Sequence, residues 1–315
     1  MNLISFTGLL TSTVFLAACV CLLSYLPFGW WMSDLFQHFR LQYALFFGAA
    51  ALLLLFSRKW IWAGACLLLA TSNTAELAPR WFASPPSIEE QGQSLRLITF
   101  NVNSRGDPDQ ALKVIDQAQP DLLLLLEVTQ EWQAHLELIR QQLPHHIVHS
   151  RKDNFGIALF SRFPLEGQVE WIGPALLPSI HANVDFDGKT LEFWGTHPPP
   201  PVSPAMRDWQ DGQLKALAIR MKTASHGVLM GDFNTTPYAR NFKALLQTTG
   251  LRDASFGFGI QGTWPLSLNI LSIPIDHVLH TKDIVTTNAQ VFWETGSDHG
   301  ALAIDVILST ASSAG

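Results

Sequence analysis

The chain begins with long runs of apolar residues that are interrupted by very few charges. Three uncharged runs extend over Ile4 to about Gly29, Leu41 to Ser57, and Trp60 to Ala75. Each is long enough, or nearly so, for a helix that crosses the ~30 Å hydrocarbon core of a bilayer. Soluble helices normally keep one polar face. The pattern therefore predicts about three transmembrane helices, with buried helices of a globular protein as the alternative.

Beyond residue 95 the pattern changes to short apolar runs separated by turn residues and amphipathic stretches. Helical spacing covers Asp109–Gln117, Glu131–Leu143 and Pro204–Ala224. Strands are predicted over Leu95–Val102, Asp121–Leu126, several segments of His146–Thr196 with a hairpin turn at Asp187-Gly188, Val228–Phe233, Ile284–Trp293 and Ala301–Leu308. We thus expect a transmembrane region over 1–77, a Pro- and Ser-rich linker over 78–94, and an α/β (α+β) domain over 95–310.

Charge divides the chain at the same place as the apolar pattern. Only six of the 46 charged side chains precede residue 87, which leaves 24 acidic and 16 basic groups in the remainder. This balance excludes a disordered chain and a basic nucleic-acid scaffold. Cys19, Cys21 and Cys66 all lie in the apolar region. The C-terminal domain therefore has neither a disulfide nor a thiolate metal site.

The orientation follows from the basic residues between the apolar runs. Arg58 and Lys59 form a short loop, and such loops tend to stay cytoplasmic. This predicts a multi-pass inner-membrane protein with an extracytoplasmic catalytic domain, although Arg40 weakly opposes that orientation. Leu16–Cys19 resembles a lipoprotein cleavage site, but Met1–Gly8 contains no Lys or Arg and the apolar run continues past Cys19.

Polar side chains stand where the predicted strands of the C-terminal domain end. They are Asn101, Glu127, His197, Asp232 with Asn234, Asp276 with His277, and Asp298 with His299. Carboxylates bind hard cations such as Mg²⁺, whereas amides and imidazoles donate to phosphate oxygens. Taken singly, each could cap a turn or be solvated. Together they favour a metal-dependent phosphoester hydrolase.

The order and local sequence of these groups resemble the endonuclease/exonuclease/phosphatase superfamily, the deoxyribonuclease I-like fold, in a membrane-anchored bacterial form. The matching segments are Thr99–Val102, Leu126–Val128, Gly195–His197, Gly231–Asn234, Ile275–Val278 and Ser297–His299. The resemblance covers residues 95–308. It implies a four-layered sandwich of two β-sheets flanked by helices.

The resemblance also implies a role for each residue. Glu127 is expected to be the principal ligand of Mg²⁺ or Mn²⁺, with Asn101 and Asp298 close to the metal or the phosphate. Asp232 would orient or deprotonate the attacking water, and Asn234 would hold a phosphate oxygen. His299, oriented by Asp276, would contact the scissile phosphate. His197 would contact phosphate or protonate the leaving group, and Asn154 and Trp264 are candidates for substrate binding, with packing as the alternative role.

The substrate is less determined than the reaction. Nucleases grip several phosphates with Lys and Arg, whereas this domain is acidic and its longest basic run is Arg151-Lys152. Nucleic acid remains an alternative substrate that the charge disfavours. An anchor at the bilayer favours a lipid-linked or membrane-associated phosphate ester. A non-catalytic binding protein on the same fold is a minor alternative.

Overall fold

A computed structural model describes residues 6–26, 30–83, 93–186 and 188–308, and its N-terminal part is helical. The helices are α1 (Phe6–Leu23), α2 (Trp31–Phe36), α3 (Arg40–Phe56) and α4 (Trp60–Phe82), with a short 3-10 turn at Gln37–Phe39. Residues 57–59 connect α3 to α4, and the two helices pack as a hairpin around Ala51, Leu54, Ala63 and Cys66. Asp187, at the predicted hairpin turn, lies outside the described residues.

The prediction of three transmembrane helices is wrong. Among the described residues, only the helical stretch Trp31–Phe56, 26 residues long, is long and apolar enough to cross a membrane. The described apolar part of α1, Thr7–Leu23, is shorter. α4 carries Asn73, Glu76 and Arg80 in its second half, which lowers its hydropathy.

The predicted linker also begins later than expected. α4 continues through Pro79 to Phe82, so residues 78–82 are helical, while residues 84–92 lie outside the described part. Arg80 and Asp253 form a buried ion pair between the last turn of α4 and the C-terminal domain. The helices are therefore docked on that domain through specific contacts.

Within the described residues, the C-terminal domain contains two sheets of six strands each. The first has the order β11-β12-β1-β2-β4-β3 and the second β5-β6-β7-β8-β10-β9. The strands are β1 Ser94–Asn101, β2 Leu122–Leu126, β3 His145–His149, β4 Ile157–Ser161, β5 Leu165–Ile172, β6 Leu177–Phe186, β7 Lys189–Thr196, β8 Gly227–Asp232, β9 Arg252–Asp253, β10 Asp276–His280, β11 Ile284–Phe292 and β12 Ala301–Leu308. The helices are α5 Pro108–Ala118, α6 Gln133–Gln142, α7 Pro204–Met221 and α8 Arg240–Thr249, with 3-10 turns at Gln130–Trp132 and Leu266–Leu271.

Alternation along the strands produces the layers, because successive side chains point to opposite faces of a sheet. In β2, Leu122, Leu124 and Leu126 pack in the core between the sheets, whereas Leu123 and Leu125 face α5 and α6. On the other side, Leu229 and Leu279 face α7 and α8. The predicted α/β sandwich of two sheets flanked by helices is therefore confirmed.

Local signals fix where the outer helices begin. Asp107 accepts hydrogen bonds from the backbone N–H groups of Asp109 and Gln110, and Pro108 occupies the first position of α5. Ser203 caps α7 by accepting a hydrogen bond from the Met206 N–H, and Pro204 occupies the first position of the helix. Proline at the first helical position and an oxygen-bearing cap are favoured because the first N–H groups of a helix have no internal partner.

Candidate active site

Strand direction brings the predicted polar residues to one edge of the sandwich. β1 runs parallel to β2 and antiparallel to β12, and β7 runs parallel to β8, which is antiparallel to β10. The ends of β1, β2, β7 and β8 therefore meet the starts of β10 and β12. The residues at these positions are Asn101, Glu127, His197, Asp232, Asp276 and His299.

A single carboxylate oxygen, Asp232 Oδ2, lies at the centre of this group. Asn101 Nδ2 donates to it over 3.1 Å, and Nε2 of His197 and of His299 lie 3.5 and 3.8 Å away. Asp232 is buried, and burial alone would raise its pKa. The two imidazoles outweigh this effect and hold the pKa below its usual range, so Asp232 is ionised at neutral pH.

His299 lies between two buried carboxylates. Its Nδ1 lies 2.9 Å from Asp276 Oδ2, while its Nε2 faces Asp232. Burial opposes the charged imidazolium, but Asp276 and then Asp232 raise the pKa of His299 to about 9. Burial likewise opposes protonation of His197, whose pKa is nevertheless raised by Asp232 and Glu127. Two imidazoles with raised pKa values thus flank one carboxylate, which favours an anionic ligand.

Glu127 lies beside this cluster, with neutral amides as its hydrogen-bond donors. Asn101 Nδ2 donates to Oε1 over 3.2 Å and the Ser104 N–H to Oε2 over 3.1 Å. Its backbone φ is +61°, a left-handed conformation that costs roughly 1–3 kcal/mol for a residue other than glycine. The turn is held by the pairing of Val102 N–H with the Leu126 carbonyl.

Asp298 is held at the edge of the site by Asn103 and by the aromatic side chain of Trp264. Asn103 Nδ2 donates to Asp298 Oδ1 over 2.6 Å, and Trp264 Nε1 donates to Oδ2 over 2.9 Å. Trp264 also lies beside His299, with 6.4 Å between the ring centroids. Asn154 accepts a hydrogen bond from Ser104 Oγ over 3.1 Å, or donates to it after an amide flip.

Asn234 and the proline run after His197 line another part of the site. Asn234 Nδ2 donates to the Pro198 carbonyl over 3.0 Å and lies 3.3 Å from His197 Nε2. The Asn234 N–H donates to Asp232 Oδ1 over 2.8 Å, which leaves Oδ2 directed at the histidines. Phe155 packs against the His197 ring, with 5.6 Å between the centroids.

A family model described as the Endonuclease/Exonuclease/phosphatase family matches residues 98–299. The chain belongs to this family. Members of the family are phosphoesterases or nucleases and generally use divalent metal ions. A search of curated proteins finds no match.

Solved structures of family proteins share the fold at low sequence identity. An endonuclease/exonuclease/phosphatase from Beutenbergia cavernae is 20% identical, with a TM-score of 0.57 over 70% of this chain and 72% of that one. The human Nocturnin catalytic domain with bound sulfate is 17% identical, with a TM-score of 0.56 over 72% and 100%. A mannosyl-6-phosphatase from Bacteroides thetaiotaomicron is 17% identical, with a TM-score of 0.54 over 68% and 99%.

Two different sets of side chains in the site could hold the divalent ion that family members generally use. Among the described residues, the ligand atoms of Asp232, Asp276 and His299 lie within 4.8 Å of one another and could hold an ion. This trio differs from the predicted ligands Glu127, Asn101 and Asp298. Of the predicted set, Glu127 and Asn101 are in direct contact, whereas Asp298 is held by Asn103 and Trp264.

The sequence analysis assigned no role to three residues that position the candidate site, although one of them, Ser297, lies in a matching segment. Asn103 joins Asp298 to the turn after β1, Ser104 holds Glu127, and Ser297 Oγ donates to the Asn101 carbonyl over 2.8 Å. Asn103 has a φ of +54°, and asparagine tolerates that conformation well. A second asparagine two residues after a strand end was the available signal.

Proposed function

We propose that this chain is a divalent-metal-dependent phosphoester hydrolase that acts on a phosphate ester held at a membrane surface. The observation that carries the proposal is the convergence of His197, His299 and Asn101 on the buried carboxylate oxygen of Asp232. Two imidazoles with raised pKa values beside an ionised carboxylate suit a substrate that is anionic and a nucleophile that must be oriented.

The reaction we propose is attack of water on phosphorus. The water oxygen forms the new bond to phosphorus while the bond to the leaving ester oxygen breaks. Asp232 accepts the proton of the water, and the His197 imidazolium donates a proton to the leaving oxygen. His197 Nε2 and Asp232 Oδ2 are 3.5 Å apart, so the proton can return from Asp232 to His197 after product leaves. His299 and Asn234 would bind the phosphate oxygens on which charge develops.

The metal fits best beside Glu127. Asp232, Asp276 and His299 already balance much of their charge, because His299 is protonated between the two carboxylates. The Glu127 carboxylate is hydrogen-bonded by neutral amides. Its neighbour Asn101 has an amide oxygen, which accepts from the Asn103 N–H and would have to turn toward the ion to bind it. Carboxylate and amide oxygens are ligands that Mg²⁺ prefers, so we assign Mg²⁺ or Mn²⁺ to Glu127 and Asn101, with Asp298 nearby. The ion would neutralise charge on the phosphate.

The membrane part of the proposal rests on Trp31–Phe56 and its connection to the catalytic domain. Asp34, near the start of this stretch, pairs with Arg207 and Arg240 of that domain. If Trp31–Phe56 crosses the bilayer, the active site is held at its surface, where lipid-linked phosphates have a high effective concentration. We place this site outside the cytoplasm, because the Arg58-Lys59 connection lies at the opposite end of the α3–α4 hairpin.

A substrate panel tests the reaction. Purified full-length protein with Mg²⁺ or Mn²⁺ is offered a lipid pyrophosphate, a phospholipid, plasmid DNA and bis(4-nitrophenyl) phosphate. We expect hydrolysis of at least one lipid substrate and of the small ester, and losses of about 100-fold or more in His299→Ala and Asp232→Asn. His146→Ala, at an exposed histidine of β3, is the matched control. Preference for DNA over every lipid would establish the nuclease alternative instead.

The metal assignment has its own test in Glu127→Gln, which removes the charge and keeps the shape. We expect turnover to fall roughly a thousandfold at ordinary Mg²⁺ and to recover in part as Mg²⁺ is raised. Calorimetric titration with Mn²⁺ should show weaker binding than in the unmodified protein. Unchanged Mn²⁺ affinity in Glu127→Gln, with lost affinity in Asp232→Asn, would move the metal to the Asp232 cluster.

A further inference from the structure

The 3-10 turn Leu266–Leu271, here called the rim loop, adjoins the candidate active site. It follows Trp264, whose indole N–H donates to Asp298, and the Leu266 N–H donates to the Asp298 carbonyl over 3.0 Å. At its other end, Ser272 leads into the segment that reaches Asp276. Both ends of the rim loop are thus held by residues within or next to the site.

The rim loop exposes an unusual concentration of aliphatic side chains. Leu268, Ile270 and Leu271 are 55%, 78% and 39% exposed. Single exposed apolar residues are normal on a soluble surface. Three within four residues at the rim of a polar site form a patch, and such patches mark interaction surfaces.

The rim loop is also joined to the helix that could cross a membrane. Gln42 Nε2, in α3, donates to the Leu271 carbonyl. Gln42 lies within Trp31–Phe56 and close to the end of this stretch that contacts the catalytic domain. Exposed Trp81 and Phe82 end α4 on the same side of the hairpin, and Trp81 packs against the chain at Gly259. The rim loop and the exposed end of α4 thus both lie at the end of the hairpin that contacts the catalytic domain.

We propose that the rim loop enters the surface of a lipid bilayer and admits the apolar part of a lipid-linked phosphate ester to the site. This rests on the proposed function and specifies its substrate class as a lipid. The occupant is lipid because the rim loop is hydrogen-bonded to the candidate spanning helix and lies at the end of the hairpin where α4 also exposes apolar side chains. The polar groups of Trp264 and Asp298 lie next to the rim loop. They would separate the phosphate end of the substrate from its lipid chain.

The depth of the rim loop can be measured without any activity. Full-length protein with Cys19, Cys21 and Cys66 replaced by Ala carries Ile270→Cys labelled with an environment-sensitive fluorophore, and is reconstituted into phosphatidylcholine vesicles containing doxyl-labelled lipid. We expect blue-shifted emission and strong quenching. Leu138→Cys, at a site 49% exposed on α6, is the matched control and should report water. Equal emission and quenching at both positions would overturn the proposal.

Substrate preference gives a second, separable measurement. In the same vesicles, Ile270→Ser should lower the ratio of turnover on a lipid phosphate to turnover on bis(4-nitrophenyl) phosphate by about tenfold, as expected when a buried aliphatic group is lost. Leu138→Ser should leave that ratio unchanged. An unchanged ratio in Ile270→Ser would refute the role in substrate entry. If the unmodified protein hydrolyses neither ester, the proposed function fails, while the fluorophore still decides whether the loop enters lipid.

Discussion

The carboxylate of Asp276 sets the protonation state of His299, and this has a consequence for pH dependence. Burial favours neutral His299, but Asp276 and Asp232 raise its pKa to about 9. If the imidazolium is the active form, activity is present below that pKa and is lost as pH rises through it. Asp276→Asn removes the larger of the two carboxylate effects. We expect the alkaline limb of the kcat/KM profile to move down by about one pH unit or more.

The matched control for this prediction is Asp283→Asn. Asp283 pairs with His226 Nδ1 in a histidine–aspartate contact on the surface, away from the strand ends that form the site. Its pH profile should overlay that of the unmodified protein. An alkaline limb that stays in place in Asp276→Asn would show that another group limits the rate at high pH.

At the residue scale, the sequence predicted which polar groups gather but not how they are held. Asp276 and His277 are adjacent in sequence, yet β-strand alternation sends only Asp276 to His299. His277 turns to the Thr235 carbonyl over 2.8 Å, and burial lowers its pKa to about 4. The contact of Asn103 with Asp298 joins residues 195 positions apart, so a local pattern could single out Asn103 but could not identify its partner.

Gly231 allows β8 to pair closely with β7 next to His197 and Asp232, the residues that follow Thr196 and Gly231. Its φ is +149°, and a Cβ at this position would lie 1.9 Å from the Thr196 carbonyl oxygen. Gly231→Ala must therefore separate two paired strands in the core of the second sheet. We expect the free energy of unfolding to fall by about 3 kcal/mol or more, measured by urea denaturation, and activity to fall with it.

Gly250 is a control position, because an added Cβ there would meet a left-handed backbone but no neighbouring atom. It ends α8 with a φ of +73° and has open space around its Cβ position. Gly250→Ala should cost about 1 kcal/mol, the price of the left-handed backbone alone. Equal losses in the two variants would mean that backbone conformation, and not contact with Thr196, makes Gly231 necessary.

Element prediction succeeded where pattern and boundary signals agreed. β12 was predicted at Ala301–Leu308 and is found there, and α5 has both a cap and a proline at its start. α8 was missed because its first turn follows Ala239, which supplies no side-chain cap. β10 was not predicted because Asp276–His280 is short and begins with two polar residues.

The largest difference between prediction and structure concerns how the helices meet the catalytic domain. The apolar run ended at Ala75 by composition, but α4 continues because Glu76 pairs with Lys243 and Arg80 with Asp253. Those partners lie far along the chain, so no local pattern could indicate them. A linker was therefore expected over residues 78–82, where the structure has the last turns of a docked helix.

The contact between the α3–α4 hairpin and the catalytic domain makes the proposed topology testable at two positions, the basic connection and the catalytic domain. Asp34 holds the catalytic domain at one end of Trp31–Phe56 through Arg207 and Arg240, while Arg58 and Lys59 follow the other end. If α3 crosses the membrane and α4, which packs against it, crosses back, the domain and the basic connection face opposite sides. Because short basic connections stay in the cytoplasm, the domain should face outward.

Paired reporters decide this in a bacterial host. Alkaline phosphatase fused after residue 315 should be active and green fluorescent protein at the same position dark, since the first needs export and the second folds poorly after it. Fusions truncated after Lys59 should show the reverse pattern, because they retain the basic connection. Bright fluorescence after residue 315 with active phosphatase after Lys59 would invert the orientation, and would place the rim loop against the inner leaflet. The same readout from both positions would mean that the α3–α4 hairpin does not cross the bilayer and return, and the proposed topology would then be wrong.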